Sequence, residues 1–168
     1  MQWDKADRLI WDYGAISDIM RRHTSVKDIQ ELFRRMVFNI LLVRNTDDHP
    51  RNHAFLFGET GLELSPAYDI MPTLTQPGVG TDFSLAMSVG KRGREASLKN
   101  ALSRAVRFGL SEEEAGAVVE KVAETVRGWR EHFAAVGCPD SEIRALEPSF
   151  ARCVVELRQL CLGEAGQG

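Results

Sequence analysis

Residues 45–56 read NTDDHPRNHAFL, and residues 64–73 read LSPAYDIMPT. The first part of this segment, through Asn52, is polar and cannot belong to a hydrophobic core. Pro50 prevents a helix from continuing through it, because proline has no amide hydrogen and clashes with the preceding turn. The segment therefore predicts a polar loop.

Two short apolar runs follow this loop, at residues 54–57 and 62–64, and they flank the sequence GETG at residues 58–61. Apolar runs on either side of a glycine-bearing turn are typical of a β-hairpin. Because a hairpin brings its two ends together, we expect Asp69 to return close to Asn52.

The side chains at these positions suit a hard cation and a proton transfer. Asn52 and Asp69 can share one magnesium ion, which prefers oxygen ligands and keeps water and nucleotide phosphates in the rest of its shell. Asp47 lies five residues before Asn52, where its carboxylate can accept the proton of an attacking hydroxyl. A loop aspartate, a loop asparagine, a hairpin and a metal-binding aspartate follow one another in this order in protein kinases.

The two quoted stretches closely resemble the HipA-like serine/threonine kinases, whose usual pattern is Asp-x-His-x-Lys-Asn followed by Leu-Ser-Pro-x-Tyr-Asp. The paired motifs at this spacing are specific, whereas either motif alone would be weak. The sequences LAMSVG at residues 85–90 and RFGLS at residues 107–111 are also similar to this family. The resemblance therefore covers most of the chain after about Glu31.

The resemblance implies a role for each matching position. Asp47 matches the catalytic base. Arg51 stands where lysine is usual, and arginine keeps the charge but has a wider, planar head. The positions that the resemblance assigns to ATP are His49, Arg51, Asn52, Tyr68 and Asp69, of which Asn52 and Asp69 match the ligands of Mg²⁺.

Simpler roles are open to the same residues. Asn52 is suited to holding a turn, and Tyr68 to packing with its hydroxyl bonded to a partner. His49 suits a hydrogen bond to the loop backbone as well as a nucleotide contact. Asp47 alone would fit a solvated loop, and the paired motifs favour its catalytic role. For Asp48 we expect a solvated surface position or local capping.

The family places a glycine-rich phosphate-binding segment and an ATP-binding lysine in an N-terminal lobe, and nothing before Asp47 matches either feature. We expect a truncated form, one product of a split gene or a degenerate relative, with a separate N-terminal kinase lobe as its partner. The resemblance also implies a protein substrate and a DNA-binding antitoxin in a toxin–antitoxin system. The alternative is a non-catalytic module that binds a partner or antitoxin.

Length and composition bound the remaining possibilities. The 168 residues suit one compact domain, which we expect to cover residues 1–162 with a flexible tail over residues 163–168. The net charge of −3 gives no general attraction to nucleic acid. No apolar run is long enough to span a bilayer, and the polar start is not a secretory signal. Three cysteines without metal-ligand spacing indicate reduced thiols in the cytoplasm.

Apolar spacing predicts a mainly α-helical fold around the hairpin, and the resemblance implies that this fold is like the C-terminal lobe of a HipA-like kinase. Residues at helical intervals predict a buried central helix over about residues 26–43, capped by Thr24 or Ser25. Residues 73–93 contain several glycines and predict a long irregular segment, with a short strand at residues 84–87.

The second half of the chain is predicted to be helical. An apolar stripe over residues 98–106 ends at Gly109, a residue suited to a left-handed helix stop. Ser111 and Glu114 form a capping box, which begins a long helix that we expect to stop near Gly137.

Overall fold

A computed structural model describes residues 11–43, 45–59, 61–71 and 84–148 of the chain, together with residues 150 and 157. The predicted tail over residues 163–168 lies outside these residues, as does the first half of the predicted irregular segment. Within them, no helix is both long enough and apolar enough to cross a membrane.

The described chain is mainly helical with a two-stranded antiparallel hairpin, which confirms the predicted fold class. The elements in chain order are helix α1 (Tyr13–Met20), helix α2 (Val26–Phe38), a π-helical turn (Asn39–Val43), a 3-10 turn (Pro50–Asn52), strands β1 (Phe55–Phe57) and β2 (Leu62–Leu64), helix α3 (Leu98–Leu102), a second 3-10 turn (Ala105–Phe108), helix α4 (Glu112–Arg127) and helix α5 (Trp129–Ala135). A further helix covers residues 140–148.

Helix α2 lies at the centre of the core, as its apolar spacing predicts. Ser25 caps it: the Ser25 hydroxyl accepts from the amide of Asp28, and the Asp28 carboxylate accepts from the amide of Ser25. The helix packs against α1, α4 and the second 3-10 turn. Its buried residues are Ile29, Leu32, Phe33, Met36 and Val37.

The helix predicted over residues 26–43 changes type at Asn39. From there to Val43 the backbone is π-helical, and a π-helical turn holds more residues than an α-helical one. Ile40 and Leu41 are fully buried as predicted, but Asn39 is also buried, at 5% exposure. A polar side chain therefore enters the core just before the predicted loop.

The long helix predicted after Ser111 is two helices. Ser111 and Glu114 form the predicted capping box, but α4 stops before Gly128 and α5 begins after it. Glycine is a poor helix former. No residue of α5 is fully buried, and its residues Trp129 and Phe133 pack against the edge of the core. Trp129 also stacks on Phe150, with ring centroids 4.0 Å apart.

The apolar stripe predicted over residues 98–106 is also not one continuous helix. Helix α3 ends at Leu102 and the second 3-10 turn follows, which leaves Val106 outside the core with 78% of its surface exposed. Gly109 ends the turn with φ 70°, a left-handed backbone that favours glycine, as predicted.

Residues 84–87 do not form the predicted strand and pair only through an isolated bridge to Glu95. The neighbouring Ser88 is bonded to the start of α1. Its amide donates to the carbonyl of Trp11 at 2.8 Å, and its carbonyl accepts from the amide of Tyr13 at 3.1 Å. This pairing fixes the Trp11–Tyr13 segment, which contacts the predicted loop.

Candidate functional site

The predicted loop begins with a tight turn over residues 45–48. The amide of Asp48 donates to the carbonyl of Asn45 over 3.4 Å, and Asp47 lies at the exposed tip of the turn. The two neighbouring aspartates have opposite environments, because Asp48 is only 3% exposed. The carboxylate of Asp47 is therefore accessible to a molecule that approaches from solvent.

Asp48 contradicts the expectation of a solvated or capping residue. Its carboxylate accepts hydrogen bonds from the Tyr13 hydroxyl and from the side-chain amide of Asn39 at 2.7 Å. The Nε2 atom of His53 lies 3.2 Å from the same carboxylate. No sequence signal relates these residues, since Tyr13 lies 35 positions before Asp48, and the fold alone brings them together.

The groups around Asp48 are donors. Burial, and then the charge and hydrogen bond of Asp48, raise the pKa of Tyr13 well above its ordinary value of 10.0, so the hydroxyl keeps its proton. Besides the Tyr13 hydroxyl and the Asn39 amide, Nε2 of His53 faces the same carboxyl group. The other ring nitrogen of His53, Nδ1, is buried and has no hydrogen-bond partner in the described part of the chain.

Trp11 also contacts the loop, through two of the residues that match nucleotide-binding positions. Its ring lies edge-on to His49, with ring centroids 6.0 Å apart. The guanidinium carbon of Arg51 lies 5.9 Å from the Trp11 ring centroid. Nδ1 of His49 is buried and unbonded within the described residues, so this atom does not make the alternative backbone bond. Arg51 is exposed and therefore accessible.

The hairpin forms with the strands that the sequence predicts. Strands β1 and β2 are antiparallel, with Phe55 opposite Leu64. The amide of Ser65 continues the pairing by donating to the carbonyl of Ala54 at 2.9 Å. The chain therefore returns beside the end of the loop.

Helix α2 holds the returning strand in place. Arg35 donates to the carbonyl of Ser65 at 2.6 Å, and the amide of Leu64 donates to the carboxylate of Asp28 at 3.0 Å. Asp28 and Arg35 lie about two helical turns apart on α2. The segment that leads to Asp69 is thereby fixed to the central helix.

The segment around Asp69 is bonded to the loop. The side-chain amide of Asn45 donates to the backbone carbonyl of Asp69 at 3.4 Å, and the Tyr68 hydroxyl donates to the carbonyl of Arg51 at 2.5 Å. Asp69 itself is exposed and has φ 56°, a left-handed conformation in which aspartate is enriched among non-glycine residues. The structure therefore brings Tyr68 and Asp69 to the loop that carries Asp47 and Asn52.

A cavity of about 30 Å³ lies between the loop and this returning segment, and Asn45, Asn52 and Tyr68 are among the residues that line it. Asn52 is 6% exposed, whereas Asp47 and Asp69 are exposed. Of these three predicted site residues, Asn52 is therefore the one that is withdrawn from solvent.

The described residues include no group of three or more histidine, cysteine, aspartate or glutamate side chains that could hold a metal ion. The predicted ligands Asn52 and Asp69 offer instead one amide oxygen and one carboxylate, on two segments that hydrogen bonds join. This donor set fits Mg²⁺, which takes few protein oxygens and completes its shell with water and phosphate.

Comparison with known proteins finds a matching family model, two similar curated proteins and a similar solved structure. The family model described as HipA-like C-terminal domain matches residues 2–129. Two proteins of Sinorhizobium fredii, named "Putative kinase Y4dM" and "Putative kinase Y4mE", are 30% identical over 122 residues and 31% identical over 77 residues. The fold is similar to that of a chain in the toxin–antitoxin complex of HipA, HipB and operator DNA from Shewanella oneidensis MR-1, with a TM-score of 0.67 and 17% identity.

Each match covers a larger share of this chain than of the relative. They extend over 71% and 45% of this chain for Y4dM and Y4mE, and over 93% for the Shewanella chain. In the other direction, the chain spans 28% of Y4dM, 18% of Y4mE and 39% of the Shewanella chain. The family match contains the loop, the hairpin and Asp69.

Proposed function

We propose that this chain, which belongs to the HipA-like C-terminal domain family, is the lobe of a two-lobed serine/threonine protein kinase that carries the catalytic base and the magnesium ligands. The proposed reaction transfers the γ-phosphoryl group of ATP to a protein hydroxyl. The observation that supports it most is the exposed carboxylate of Asp47, at the tip of an anchored turn beside the segment of Asp69.

Asp47 is the proposed general base. Its carboxylate accepts the proton of the substrate hydroxyl while the hydroxyl oxygen bonds to the γ-phosphorus and the bond between that phosphorus and ADP breaks. Exposure at the tip of the turn suits a macromolecular substrate, which must reach the carboxylate from solvent. The Asn45–Asp48 hydrogen bond holds the turn while this happens.

Asn52 and Asp69 are the proposed ligands of Mg²⁺, which when bound neutralises charge on the phosphates of ATP. Arg51 offers an exposed guanidinium in the same loop, and a guanidinium can bind two phosphate oxygens at once. The Tyr68 hydroxyl donates to the backbone carbonyl of Arg51. The Trp11 ring packs against the Arg51 guanidinium and against His49.

The remaining parts of the proposed enzyme belong to another lobe. The chain spans less than a third of the length of the two curated relatives. We assign the glycine-rich segment and the ATP-binding lysine to a separate N-terminal lobe, which would cover the nucleotide from the opposite side.

The similar Shewanella structure contains HipA together with HipB and operator DNA. We propose by analogy that the assembled kinase is the toxin of a toxin–antitoxin pair, with a DNA-binding antitoxin as its partner. This part of the proposal depends on the family and the fold rather than on a contact surface of this chain.

The second candidate function is a non-catalytic module that binds a partner. Exposed apolar side chains on β1 favour it, since Phe57 is 93% exposed and Leu56 is 55% exposed. The presence of Asp47, Asn52 and Asp69 together favours the enzyme, because a binding module needs none of them.

The test is phosphoryl transfer by this chain in the presence of an N-terminal kinase lobe supplied as a separate chain. We expect Asp47→Ala to lower the transfer rate by about 100-fold or more, with Mg²⁺–ATP-dependent association of the two lobes unchanged. Asp69→Ala should abolish both the transfer and the nucleotide-dependent gain in association, because it removes a metal ligand. If the lobes associate but the wild-type chain transfers no phosphate, the binding-module function replaces the kinase.

A further inference from the structure

Asp48 is the one buried carboxylate in the part of the chain that the structure describes, and the proposed reaction gives it no role. A buried carboxylate is strongly unfavourable unless hydrogen bonds compensate for its lost hydration. Here Tyr13, Asn39 and His53 supply those bonds. They come from α1, from the π-helical turn and from the residue after the first 3-10 turn, so three separate parts of the fold converge on one side chain.

The position of Asp48 in the chain relates this network to the proposed catalytic groups. Its amide closes the turn with Asp47 at the tip. Its carboxylate contacts His53, which directly follows the proposed metal ligand Asn52. One side chain therefore anchors the loop beside the base and beside the metal ligand, at both ends of the Asp47–Asn52 segment.

Tyr13 is the most distant member of the network in sequence and is fully buried. Its backbone is held by Ser88, and its ring lies edge-on to His53 with centroids 5.8 Å apart. It contacts both Asp48 and His53, and its own position is set by elements outside the loop.

We propose that Tyr13 and Asp48 are positioning residues, which hold Asp47 and Asn52 in the relative placement that phosphoryl transfer requires. The catalytic role of these two residues rests on the function proposed above. The restraint that they place on the loop is a property of the fold and can be measured without any activity. The competing possibility is that the network contributes only to the overall stability of the chain.

Tyr13→Phe separates these possibilities, because it removes the hydroxyl and keeps the ring. Ser17→Ala is the matched control: Ser17 is also fully buried on α1, and its hydroxyl donates to the carbonyl of Arg107 at 2.6 Å, away from the loop. Each variant thus removes a buried hydroxyl donor from the same helix.

The measurement is amide hydrogen exchange by NMR on the 168-residue chain, at Asp48, Asn52 and His53, whose amides are hydrogen-bonded within the loop. Loss of the buried hydrogen bond between Tyr13 and Asp48 should accelerate exchange at these amides by about tenfold in Tyr13→Phe. In Ser17→Ala the same amides should change only in proportion to the global unfolding equilibrium, measured in parallel with urea. Equal behaviour of the two variants would overturn the proposal.

Asp48→Asn provides a second variant, which decides the matter if Tyr13→Phe does not fold. An asparagine keeps the shape and one acceptor oxygen, but it turns an amide group toward one of the surrounding donors. We expect faster exchange at Asn52 and His53 than in Ser17→Ala, and an exchange pattern like that of Ser17→Ala would again overturn the proposal.

Activity measurements then distinguish a failure of this inference from a failure of the proposed kinase function. With the N-terminal lobe present, Tyr13→Phe should lower kcat by about tenfold with a smaller change in KM for ATP, since the nucleotide is still held by the other lobe. If loop exchange is faster in Tyr13→Phe but the wild-type complex of the two lobes transfers no phosphate, the restraint on the loop is upheld and the kinase function is rejected.

Discussion

At the scale of single residues, the side chain of Asp47 is exposed to solvent, whereas that of the next residue, Asp48, is buried in the core. Asp48 closes the turn through its amide, and its side chain is held in the core by Tyr13, Asn39 and His53. Asp69 shows an effect of local backbone geometry, since it has a positive φ in the segment bonded to the loop. Unusual backbone conformations of this kind cluster at functional sites.

The conformation of Asp69 leads to a prediction about stability. Asp69→Asn should leave the free energy of unfolding nearly unchanged, because asparagine tolerates the left-handed region. Asp69→Val should lower it by about 1–2 kcal/mol, because a β-branched side chain is strained there. Urea denaturation of both variants provides the comparison.

Asp47 is the control for this experiment, since it is an exposed aspartate of the same site and, unlike Asp69, has no positive φ. The difference between Asp47→Val and Asp47→Asn should be smaller than the difference between the matching pair at Asp69. Equal differences at the two positions would show that the left-handed conformation of Asp69 is not maintained in solution.

At the scale of elements, two capping boxes begin two helices in the same way but differ in their further contacts. Asp28 completes the box at the start of α2 and also accepts the amide of Leu64 on β2. Glu114 completes the box of α4 with Ser111. The first box therefore joins a helix to the hairpin that leads to Asp69, whereas the second caps its helix.

This difference predicts unequal effects of Asp28→Ala and Glu114→Ala. Partial burial acts to raise the pKa of Asp28, but hydrogen bonds from Ser25 and Leu64 outweigh it and hold that pKa below its ordinary value of 3.8. Because the folded-state pKa is the lower one, the stabilisation is present above the unfolded pKa and is lost as the pH falls through the folded pKa.

Asp28→Ala should lower the free energy of unfolding at pH 7 by about 1 kcal/mol. The free energy of unfolding should also fall less on acidification in this variant than in the wild type. Urea denaturation at pH 7 and at about pH 3, below the unfolded pKa, measures both effects. In Glu114→Ala, amide exchange in the hairpin should stay as in the wild type, whereas in Asp28→Ala it should accelerate at Leu64. Unchanged exchange at Leu64 in Asp28→Ala would contradict the proposed link between α2 and β2.

At the scale of the whole molecule, the groups of the proposed site are fixed to the core through α1 and α2. Tyr13 holds the loop from α1, and Arg35 and Asp28 hold the returning strand from α2. The loop and the returning strand are therefore both joined to the core, and phosphoryl transfer additionally requires groups that hold the nucleotide from the other side.

We therefore predict that the 168-residue chain by itself phosphorylates no protein and binds nucleotide weakly and only with magnesium. An N-terminal lobe should bind to the face that carries Asp47 and Asp69, and Mg²⁺–ATP should strengthen that association, because a ligand that contacts both lobes stabilises the complex. Calorimetric titration of the two lobes, with and without Mg²⁺–ATP, measures this gain. Robust phosphorylation by the isolated chain would contradict the prediction.

The sequence was sufficient for features that depend on neighbouring residues. Helical spacing indicated the buried face of α2, serine caps marked the starts of α2 and α4, and the turn sequence GETG between apolar runs indicated the hairpin. The family resemblance was likewise readable, because the paired motifs around Asp47 and Asp69 are short and local. The roles of Asp47, Asn52 and Asp69 in catalysis and metal binding stay predictions.

The tertiary structure alone decided the environment of Asp48. In the sequence it is one of two adjacent aspartates, and local patterning favours solvent for both. Its burial depends on Tyr13, on the π-helical turn that begins at Asn39, and on His53. A carboxylate enters a core only where donors from several elements meet it, and such a meeting arises from packing between residues distant in the chain, which no local pattern records.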